Sequence, residues 1–545
     1  MSVTSALKAL IFVLGFLVHK NAFNLTEPKH NRNILVRFSE SAKKGQLDEV
    51  QAALIVTVVD AFSYPKNLKL VRVPHGRSFE RTLTNLRNNP HVVYAEPDYF
   101  LNIDEPKLKE PKTADPKFTE QWYLHNEGQT GGLPDADMNA LEAWRFIDPK
   151  QKVVIAVVDT GIALTHPELQ NKLWVNTLEI PGNNKDDDHN GYIDDVHGLN
   201  AIDPTAKPDD DNGHGSFIAG IIGAEENNSE GGRGIVPNVS LIPCKFLSGT
   251  GAGLTSDAIE CLNYLLALKI RAREPVNIVA TNNSWGGGGE HSKALYDAIK
   301  AHQDAGILFV TVAAAHGINN DDDEIYPCNY QLDNILTAVA TDSRDELSNF
   351  SSFGKKTVDV AAPGVDIFGT VTGSAYETMS GNSFATAALT GLIGLIAAFD
   401  PGLPFAKIRN LAIAGGTPLP ALDGKTVSGR RIRAWDKNGI GSLSCHDQVV
   451  QRRLSPLKDH YVLARGQKLL ISFININCAQ PMGQTVEVFD PSGLVLTLHD
   501  NGQGVDQISK DGIYAAEWTA ALLGDFELIF PNEERLTITV HEPEN

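Results

Sequence analysis

The sequence has no excess of basic residues. Its 47 Lys and Arg residues are outnumbered by 67 Asp and Glu residues, so the formal net charge is −20. A nucleic-acid-binding protein needs a positively charged footprint for the phosphate backbone, and this balance argues against that class. With 42% hydrophobic and 21% charged residues, the composition is that of a globular chain. A length of 545 residues is too great for one hydrophobic core, so we expect several domains.

Cysteine is also scarce. The cysteines are few, unevenly spaced and odd in number, so neither a disulfide framework nor a zinc-binding pattern is present. The five are Cys244, Cys261, Cys328, Cys445 and Cys478. Two interpretations of Cys445 and Cys478 stay open: a bridge within a C-terminal domain, or unpaired buried thiols.

Long apolar runs are missing beyond the N-terminus. Within residues 1–23, Lys8 precedes an apolar run over residues 9–18, and the small residue Ala22 follows a short polar stretch. That run is too short to span a bilayer and has the layout of a secretory signal peptide; a buried N-terminal helix is the alternative. No later apolar stretch approaches the roughly 18 residues of a membrane helix. We therefore predict a secreted, soluble protein without a membrane span.

Residues 31–104 have the pattern of a small α/β domain. An alternating strand, "NILVRF", opens the segment, and a second strand near "HVVYAEPDYFLNI" closes it, while "SFERTLTNLRNN" between them has helical spacing. Residues 105–118 are rich in Lys, Pro and Asp. This composition is typical of a linker, and we expect a proteolytic site there.

Residues 153–360, within a predicted domain over residues 119–440, alternate short apolar runs with helical patterns. Runs such as "VVIAVV", "VNIVAT" and "ILFVTVAAA" are continuously apolar, as in parallel strands that helices cover on both faces. The pattern predicts an α/β domain with an open, mainly parallel sheet. Residues 445–541 instead show short alternating strands between Gly, Asp, Asn and Pro, which predicts a β-sandwich domain.

Three polar residues occupy turning points of the predicted α/β domain. Asp159 follows the strand "VVIAVV", His214 lies between glycines before an apolar helix, and Ser383 begins the helix "SFATAALTGLIGLIAAF". In open parallel sheets, sites form beyond the carboxyl ends of the strands. The order Asp, His, Ser is one of three attested orders of a catalytic triad, in which Ser attacks, His takes its proton and Asp orients His.

Each residue also has a simpler explanation. Asp159-Thr160-Gly161 is an aspartic-protease signature, but no second such motif completes a dyad. A lone His between glycines is commonly structural, and Gly-x-Ser turns are common. Only the ordered combination in this strand and helix context favours the triad.

The stretch "NNKDDDHNGYIDD" resembles a calcium loop. Asp186, Asp188 and Asn190 alternate before Gly191, and two further oxygen donors follow, the Tyr192 carbonyl and the Asp195 carboxylate. Oxygen ligands favour structural Ca²⁺ over zinc. The loop departs from an EF-hand because no Glu occupies the last loop position. The alternative is a solvated acidic loop.

At these residues the sequence resembles the subtilisin-like serine proteases (subtilases) of the secreted, multidomain type. The matching segments include "YAEPDY", "EQWYLHNEGQTGG", "VVIAVVDTGIALTHPEL", "DDNGHGSFIAG", "NNSWGGGG", "VDVAAPG" and "SGNSFATA". The resemblance implies a three-layer α/β sandwich around a mainly parallel sheet. It makes residues 31–104 an inhibitory propeptide and the last domain an appended β-sandwich.

The resemblance also implies roles for individual residues. Asp159 is the orienting acid, His214 the general base and Ser383 the nucleophile. Ser284, Trp285 and Gly286 line the substrate cleft, with a flexible loop as the alternative for "NSWGGGG". We expect a monomeric serine endopeptidase that cleaves protein or peptide substrates and contacts its own propeptide.

The sequence departs from the subtilase pattern in four places. Matching the flanks places Ala315 at the position of the Asn that donates to the oxyanion, although a local slip would bring His316 or Asn319 there. Three further residues differ from the family pattern: Asn382 stands where the family has Thr, Ala387 where it has Pro, and Phe217 where it has the second His of its His-Gly-Thr-His motif. The alternative function is therefore a degenerate subtilase that acts as a non-catalytic binding or scaffold protein.

Overall fold

The computed structural model describes residues 30–39, 56–61, 67–74, 76–99, 114–148, 150–286, 291–491 and 493–543. The predicted signal peptide, residues 1–23, and residues 105–113 of the predicted linker lie outside the described residues. The chain forms two compact units, Met1–Leu108 and Lys109–Asn545.

The first unit contains a four-stranded antiparallel sheet and one described helix. Its elements are β1 (His30–Phe38), β2 (Thr57–Ala61), β3 (Leu68–Arg72), α1 (Phe79–Arg87) and β4 (Val92–Tyr99), with strand order β2-β3-β1-β4. Ser78 caps α1 by accepting the backbone N–H of Arg81. The buried face of α1 includes Leu83 and Leu86 at helical spacing, so the predicted small α/β domain is present.

The second unit begins with a nine-stranded, mainly parallel sheet. Its strands are β5 (Val153–Asp159), β6 (Leu199–Asn200), β7 (Val239–Lys245), β8 (Ile278–Asn283), β9 (Leu308–Val312), β10 (Ile335–Thr341), β11 (Val360–Pro363), β14 (Thr417–Pro418) and β15 (Arg430–Arg431). The strand order is β14-β15-β11-β10-β9-β8-β5-β7-β6. A separate hairpin consists of β12 (Ile367–Thr370) and β13 (Tyr376–Met379).

Helices and short 3₁₀ turns accompany this sheet. The α-helices are α2 (Ala140–Ala143), α3 (His214–Gly223), α4 (Thr255–Ile270), α5 (Lys293–Asp304), α6 (Asn382–Phe399) and α7 (Phe405–Ala414). The 3₁₀ turns are Phe118–Glu120, Trp144–Phe146, Gln170–Lys172, Pro420–Leu422 and Ser442–Ser444.

The order of the strands places a topological switch point at β5. This first strand of the sheet has β7 on one side and β8 on the other, and both pair with it in parallel. Every residue of β7 is buried, which explains why the strands read as continuous apolar runs. Because ligands bind beyond the strand ends at a switch point, the carboxyl end of β5 is the expected position of the site.

Helix α6 runs through the centre of the protein core. By length and composition alone this helix could cross a membrane, contrary to the expectation that no apolar stretch beyond the N-terminus is long enough. However, 89% of it is buried inside the fold. Gly391 and Gly394 let the helix approach its neighbours closely. A Cβ at Gly391 would lie 2.7 Å from Ile235, and one at Gly394 would lie 2.6 Å from Val236. The helix is therefore a core helix.

The C-terminal part of the second unit is β-rich. Its strands are β16 (Val449–Ser455), β17 (His460–Ala464), β18 (Lys468–Asn477), β19 (Gln480–Pro481), β20 (Thr485–Asp490), β21 (Gly493–His499), β22 (Ile513–Thr519), β23 (Gly524–Ile529) and β24 (Arg535–His541). They follow one hydrogen-bonded path, β16-β18-β22-β21-β20-β23-β24-β17, with β19 paired to β18. Apolar residues from most of these strands, among them Phe473, Tyr514 and Ile538, form a shared buried core.

Two disulfides connect elements of the second unit. Cys445 forms a disulfide with Cys478, so the first of the two interpretations of these cysteines, a bridge, is the one present in the structure. Cys244 of β7 is bonded to Cys261 of α4, a pair that the sequence spacing did not indicate. Cys328 is a free, buried thiol.

Candidate active site

Asp159 ends β5 at the switch point and is fully buried. Its Oδ1 atom accepts the backbone N–H of Thr160 at 2.8 Å and lies 2.8 Å from Nδ1 of His214. In the part of the chain that the structure describes, Oδ2 of Asp159 has no hydrogen-bond partner. The carboxylate therefore directs one oxygen at the imidazole.

His214 is the first residue of α3, and the glycines beside it are needed for close packing. Gly213 has φ +108°, which favours glycine, and a Cβ at Gly215 would lie 2.1 Å from the carbonyl oxygen of Gly161. The helix start is thus pressed against the turn that follows Asp159. This contact brings the imidazole to the carboxylate.

Asp210 connects the turn after β5 with the start of α3. Its Oδ1 accepts the Thr160 hydroxyl at 2.9 Å and the Gly213 N–H at 3.0 Å. Its Oδ2 accepts the hydroxyl and the N–H of Ser216, at 2.6 and 2.9 Å. The buried carboxylate of Asp210 therefore fixes the loop that presents His214. The sequence motif around His214 does not indicate this role.

Burial and charge act on His214 in opposite directions. Burial alone would lower the pKa of the imidazole, but the carboxylates of Asp159 and Asp210 outweigh it, so the pKa lies above its ordinary value. Asp159 contributes most, both by charge and by its hydrogen bond. The protonated form of the imidazole is therefore stabilised, as a general base requires.

Ser383 lies in the first turn of α6, partly exposed. Its Oγ is 3.4 Å from the Ser284 carbonyl oxygen, and the Ser284 hydroxyl donates to the Ser383 carbonyl at 3.0 Å. The ring of Phe384, the next residue, lies 6.1 Å from the His214 ring, centroid to centroid. The residue after the serine thus lies beside His214, but among the described residues the Ser383 hydroxyl bonds to Ser284, and no hydrogen bond joins it to the imidazole.

Ser284, Trp285 and Gly286 follow the end of β8. Ser284 is buried and tied to Ser383, Trp285 is partly buried, and Gly286 is exposed. The Trp285 ring packs edge-to-face against Phe246 at 4.9 Å, so its side chain belongs largely to the core. The backbone of this segment runs beside Ser383 towards the surface.

The residues that follow β9 supply no side-chain amide at the position matched to the family's Asn. Ala315 and His316 are exposed. The amide of Asn319 donates to Oδ2 of Asp322 at 2.6 Å, so this side chain has a local partner. Because α6 starts at Asn382, the N–H of Ser383 lies among the first four of the helix, and within the described residues it donates to no acceptor.

Asn382 has a structural role beside Ser383. It is buried, and its amide donates to the carbonyls of Ala313 and Ala314 at 3.1 and 3.0 Å. Its carbonyl oxygen accepts the Ala340 N–H at 3.0 Å and the Ser351 hydroxyl at 2.6 Å. This side chain joins the segment after β9 to β10 and to the start of α6.

Phe217 and Ala387, the other two residues that differ from the family pattern, lie in the hydrophobic core. The Phe217 ring lies 4.4 Å from the Phe384 ring, and a Cβ at Gly369 would lie 2.9 Å from Phe217. Ala387 is fully buried within α6. Both changes are thus apolar packing beside the site.

The acidic loop at residues 183–195 gathers some of its predicted ligands. One carboxylate oxygen each from Asp188, Asp195 and Glu179 lies within 4.8 Å of the others. Two oxygens that bind Ca²⁺ at 2.3–2.6 Å are at most about 5 Å apart, so this spacing fits one ion. Glu179 was not predicted because it precedes the acidic run in the sequence.

Two of the remaining predicted ligands, Asp186 and Asn190, have other partners in the described structure. Both carboxylate oxygens of Asp186 accept backbone N–H groups, from Asn190 and Gly191. The Asn190 side chain donates to Asp195 at 3.0 Å and accepts the Tyr192 N–H at 2.8 Å, while the Tyr192 carbonyl stays a prediction. These contacts shape the loop around Asp188 and Asp195.

Asp195 is a buried carboxylate beside another acid. Burial raises its pKa to about 6, and the charge of Asp188 adds to the increase, although hydrogen bonds from Tyr264, Asn190 and Asn176 oppose it. Arg271 already pairs with Asp188 at 3.2 Å, and a metal cation at this position would further reduce the repulsion between the two carboxylates. The donor set therefore fits a divalent ion that prefers oxygen ligands.

Comparison with known proteins gives two family matches. Residues 150–421 match the model of the subtilase family, and residues 30–98 match the fervidolysin N-terminal prodomain.

Several curated proteins are similar to this chain. A thermophilic serine proteinase of Bacillus sp. (strain AK1) is 29% identical over 67% of this chain and 77% of its own length. Thermitase of Thermoactinomyces vulgaris is 31% identical over 48% of this chain and 80% of its own length. Subtilisin-like protease 1 of Plasmodium berghei (strain Anka) is 30% identical, and the match spans 53% of this chain and half (50%) of that protein.

Proposed function

Because the chain belongs to the subtilase family of serine-type endopeptidases, we propose that it hydrolyses peptide bonds through an acyl-enzyme formed on Ser383. The observation that carries the proposal is the 2.8 Å hydrogen bond between His214 Nδ1 and buried Asp159. That bond leaves Nε2 of the imidazole to serve as the base.

Each of the three residues has one chemical task. Asp159 holds the imidazole in the tautomer with the proton on Nδ1 and stabilises the imidazolium. His214 takes the hydroxyl proton of Ser383 through Nε2 and later gives it to the leaving amine. Ser383 Oγ attacks the scissile carbonyl, and water then hydrolyses the resulting ester.

The oxyanion is stabilised mainly by the main chain. The unpaired N–H of Ser383 points from the first turn of α6, where the helix dipole also favours negative charge. Ala315 contributes no side-chain donor. In subtilisin, a relative of this chain, loss of the Asn donor costs about 10²–10³ in kcat, so we expect a slowed enzyme.

The substrate's main chain pairs with the segment Ser284, Trp285 and Gly286. The hydrogen bond from the Ser284 hydroxyl to the Ser383 carbonyl fixes this segment against the nucleophile. A peptide that lies along it would present its carbonyl to Ser383. The backbone there, rather than the Trp285 ring in the core, supplies the contacts.

The protein is made as a zymogen that is secreted. The prodomain match over residues 30–98 supports a precursor, and the signal-like pattern of residues 1–23 supports export. We place the cleavage that releases the prodomain in the linker, residues 105–118. The domains that follow cover residues 119–440 and 445–541.

Glu179, Asp188 and Asp195 would hold a structural Ca²⁺ that stabilises the surface loop. Asp186, Asn190 and the Tyr192 carbonyl stay candidate ligands or loop-shaping groups. We expect the melting temperature of the chain to be several degrees higher in calcium than in EDTA. The increase should be much smaller in Asp188→Asn, and an equal melting temperature of the parent in both buffers would exclude the site.

Labelling with a fluorophosphonate probe tests the nucleophile. The parent chain should be labelled on Ser383, and Ser383→Ala should not; labelling that persists in Ser383→Ala refutes the assignment. Self-cleavage tests the rival function of a non-catalytic scaffold. A purified parent chain that binds peptides but never cleaves its own residues 105–118 would favour that rival.

A further inference from the structure

A second group of acidic residues lies in the C-terminal β-rich part, in the loop of residues 500–512 that connects β21 with β22. We call it the junction loop because it contacts the protease part of the unit. Gln507 accepts a hydrogen bond from Gln303 at 3.1 Å, and the carbonyl of Asp511 accepts one from Asn410 of α7 at 2.8 Å. The loop thus attaches the β-rich part to the protease core.

Three carboxylates of this loop converge. One oxygen each from Asp500, Asp506 and Asp511 lies within 4.8 Å of the others. Asp500 and Asp511 are the first and last residues of a twelve-residue stretch, and Asp506 is its seventh. The spacing of the oxygens is within the limit of about 5 Å for two ligands of one Ca²⁺.

Two of the carboxylates near this point have an oxygen without a partner. Asp506 is 4% exposed; its Oδ2 accepts the amides of Asn501 and Gly502, but its Oδ1 has no hydrogen bond within the described structure. Asp333 of the protease part is 8% exposed, and its Oδ2 is likewise without a partner. A buried charge without a partner is strongly unfavourable, so these oxygens point to a missing ligand.

The two residues with unpaired oxygens line a common space. Asp333 and Asp506 both line a cavity of about 80 Å³ between the protease part and the β-rich part. A water molecule needs roughly 10–15 Å³, so the cavity has room for several water molecules beside the loop.

The positive charges nearby do not balance these acids. Arg409 donates to Oδ2 of Asp511 at 3.1 Å, which pairs one carboxylate. Lys356 also lines the cavity, but its ammonium group contacts Asp459 at 2.6 Å.

We propose that the junction loop binds a divalent cation through Asp500, Asp506 and Asp511. Carboxylate oxygens favour Ca²⁺ over thiolate- and imidazole-binding metals. The cation neutralises the acids of the junction loop, of which Asp506 also lines the cavity that it shares with Asp333 of the protease part. It therefore stabilises the attachment of the β-rich part to the protease core, independently of whether the chain cleaves peptides.

The test uses the full-length chain, with Ser383→Ala in every arm to prevent self-cleavage. The number of calcium ions bound per chain is measured by equilibrium dialysis, and hydrogen exchange is followed in the junction loop and α7 with calcium or EDTA. Asp506→Asn should bind one ion fewer than its parent. Exchange in the junction loop of the parent should slow at least about tenfold in calcium, and Asp506→Asn should lose this effect.

Two control variants separate the two acidic loops. Asp423→Asn, at an exposed position, should change neither measurement. Asp188→Asn should lose a different ion and leave exchange in the junction loop dependent on calcium. If Asp506→Asn does not fold, Asp500→Asn, at a less buried position, replaces it. The effect of calcium on hydrogen exchange in the parent's junction loop then tests the proposal without any variant.

Several outcomes would overturn the proposal. Equal exchange of the parent's junction loop in calcium and EDTA is one, and an unchanged number of bound ions in the folded variant is another. A variant Asp506→Asn that is more heat-stable than its parent in both buffers would also overturn it, since protons rather than a cation would then occupy the acids.

Discussion

The two halves of the candidate active site are built differently. On the Asp159–His214 side, buried carboxylates and close-fitting glycines fix the imidazole through side-chain contacts. On the Ser383 side, Ala315 at the position matched to the family's Asn offers no side-chain amide, and the Asn382 amide donates to main-chain carbonyls. The comparison teaches that side chains fix the His214 half, whereas under our proposal the oxyanion half depends on backbone amides.

The largest expected effects come from removing one triad residue on each side of the site. Ser383→Ala should lower kcat by about 10⁶, the value known for subtilisin. Asp159→Asn should lower it by about 10⁴, the value known for a trypsin-like enzyme with the same triad mechanism. Hydrolysis of a chromogenic peptide measures both. Ser380→Ala, at an exposed serine three residues earlier, serves as the control and should keep the parent rate. Equal activity of Ser383→Ala and the parent would exclude this nucleophile.

Restoring the missing donor sharpens the comparison. Ala315→Asn should raise kcat, by at most about 10²–10³, because a side-chain amide would then reach the developing oxyanion. KM should change little if the new bond forms only in the transition state. Ala315→Leu, which adds volume without a donor, is the matched control. An unchanged kcat would mean that another group already fills the position or that the segment is shifted.

Removing the Asn382 amide tests the backbone of the oxyanion half. Asn382→Ala should destabilise the chain by roughly 2–4 kcal/mol, since two carbonyls, an N–H and a hydroxyl lose a buried partner. Chemical denaturation measures the loss. Asn382→Thr, the family's residue at this position, should recover part of it. A variant as stable as the parent would show that water replaces these bonds.

The smallest effect concerns the charge on His214. Peptide hydrolysis needs the neutral imidazole, so kcat/KM rises as pH increases through the His214 pKa. Asp210 raises that pKa, and Asp210→Asn should therefore move the rise to lower pH. The pH profile of kcat/KM measures the shift, and Asp203→Asn, at an exposed acid, should leave it in place. A shift to higher pH in Asp210→Asn would contradict the assignment of the charge effect.

The α/β sheet was predictable because its signal is local. The strands from β5 to β11 that read as apolar runs are buried on both faces, and the buried residues of α4 and α5 recur at helical spacing. The two-residue strands β6, β14 and β15 were not predicted, since so few residues carry no period.

Convergence of distant side chains was harder to predict. The spacing of Asp186, Asp188 and Asn190 indicated an acidic loop, yet Glu179 completes the carboxylate group. The Cys244–Cys261 bridge arises because α4 packs on β7, a contact that the sequence does not display. The junction loop was seen only as the turn residues between two strands.

The sequence by itself determined the family, the order of the domains and the positions of Asp159, His214 and Ser383 at turning points, because apolar periodicity and short motifs are properties of neighbouring residues. Only the tertiary structure decided which acids meet, which amide at Ser383 stays free and what Asn382 holds. The contacts of Asn382 join segments that lie tens of residues apart, and the acids meet only through the way in which each loop folds. No local pattern encodes such contacts, since they are set by how the sheet, α6 and the β-rich part pack together.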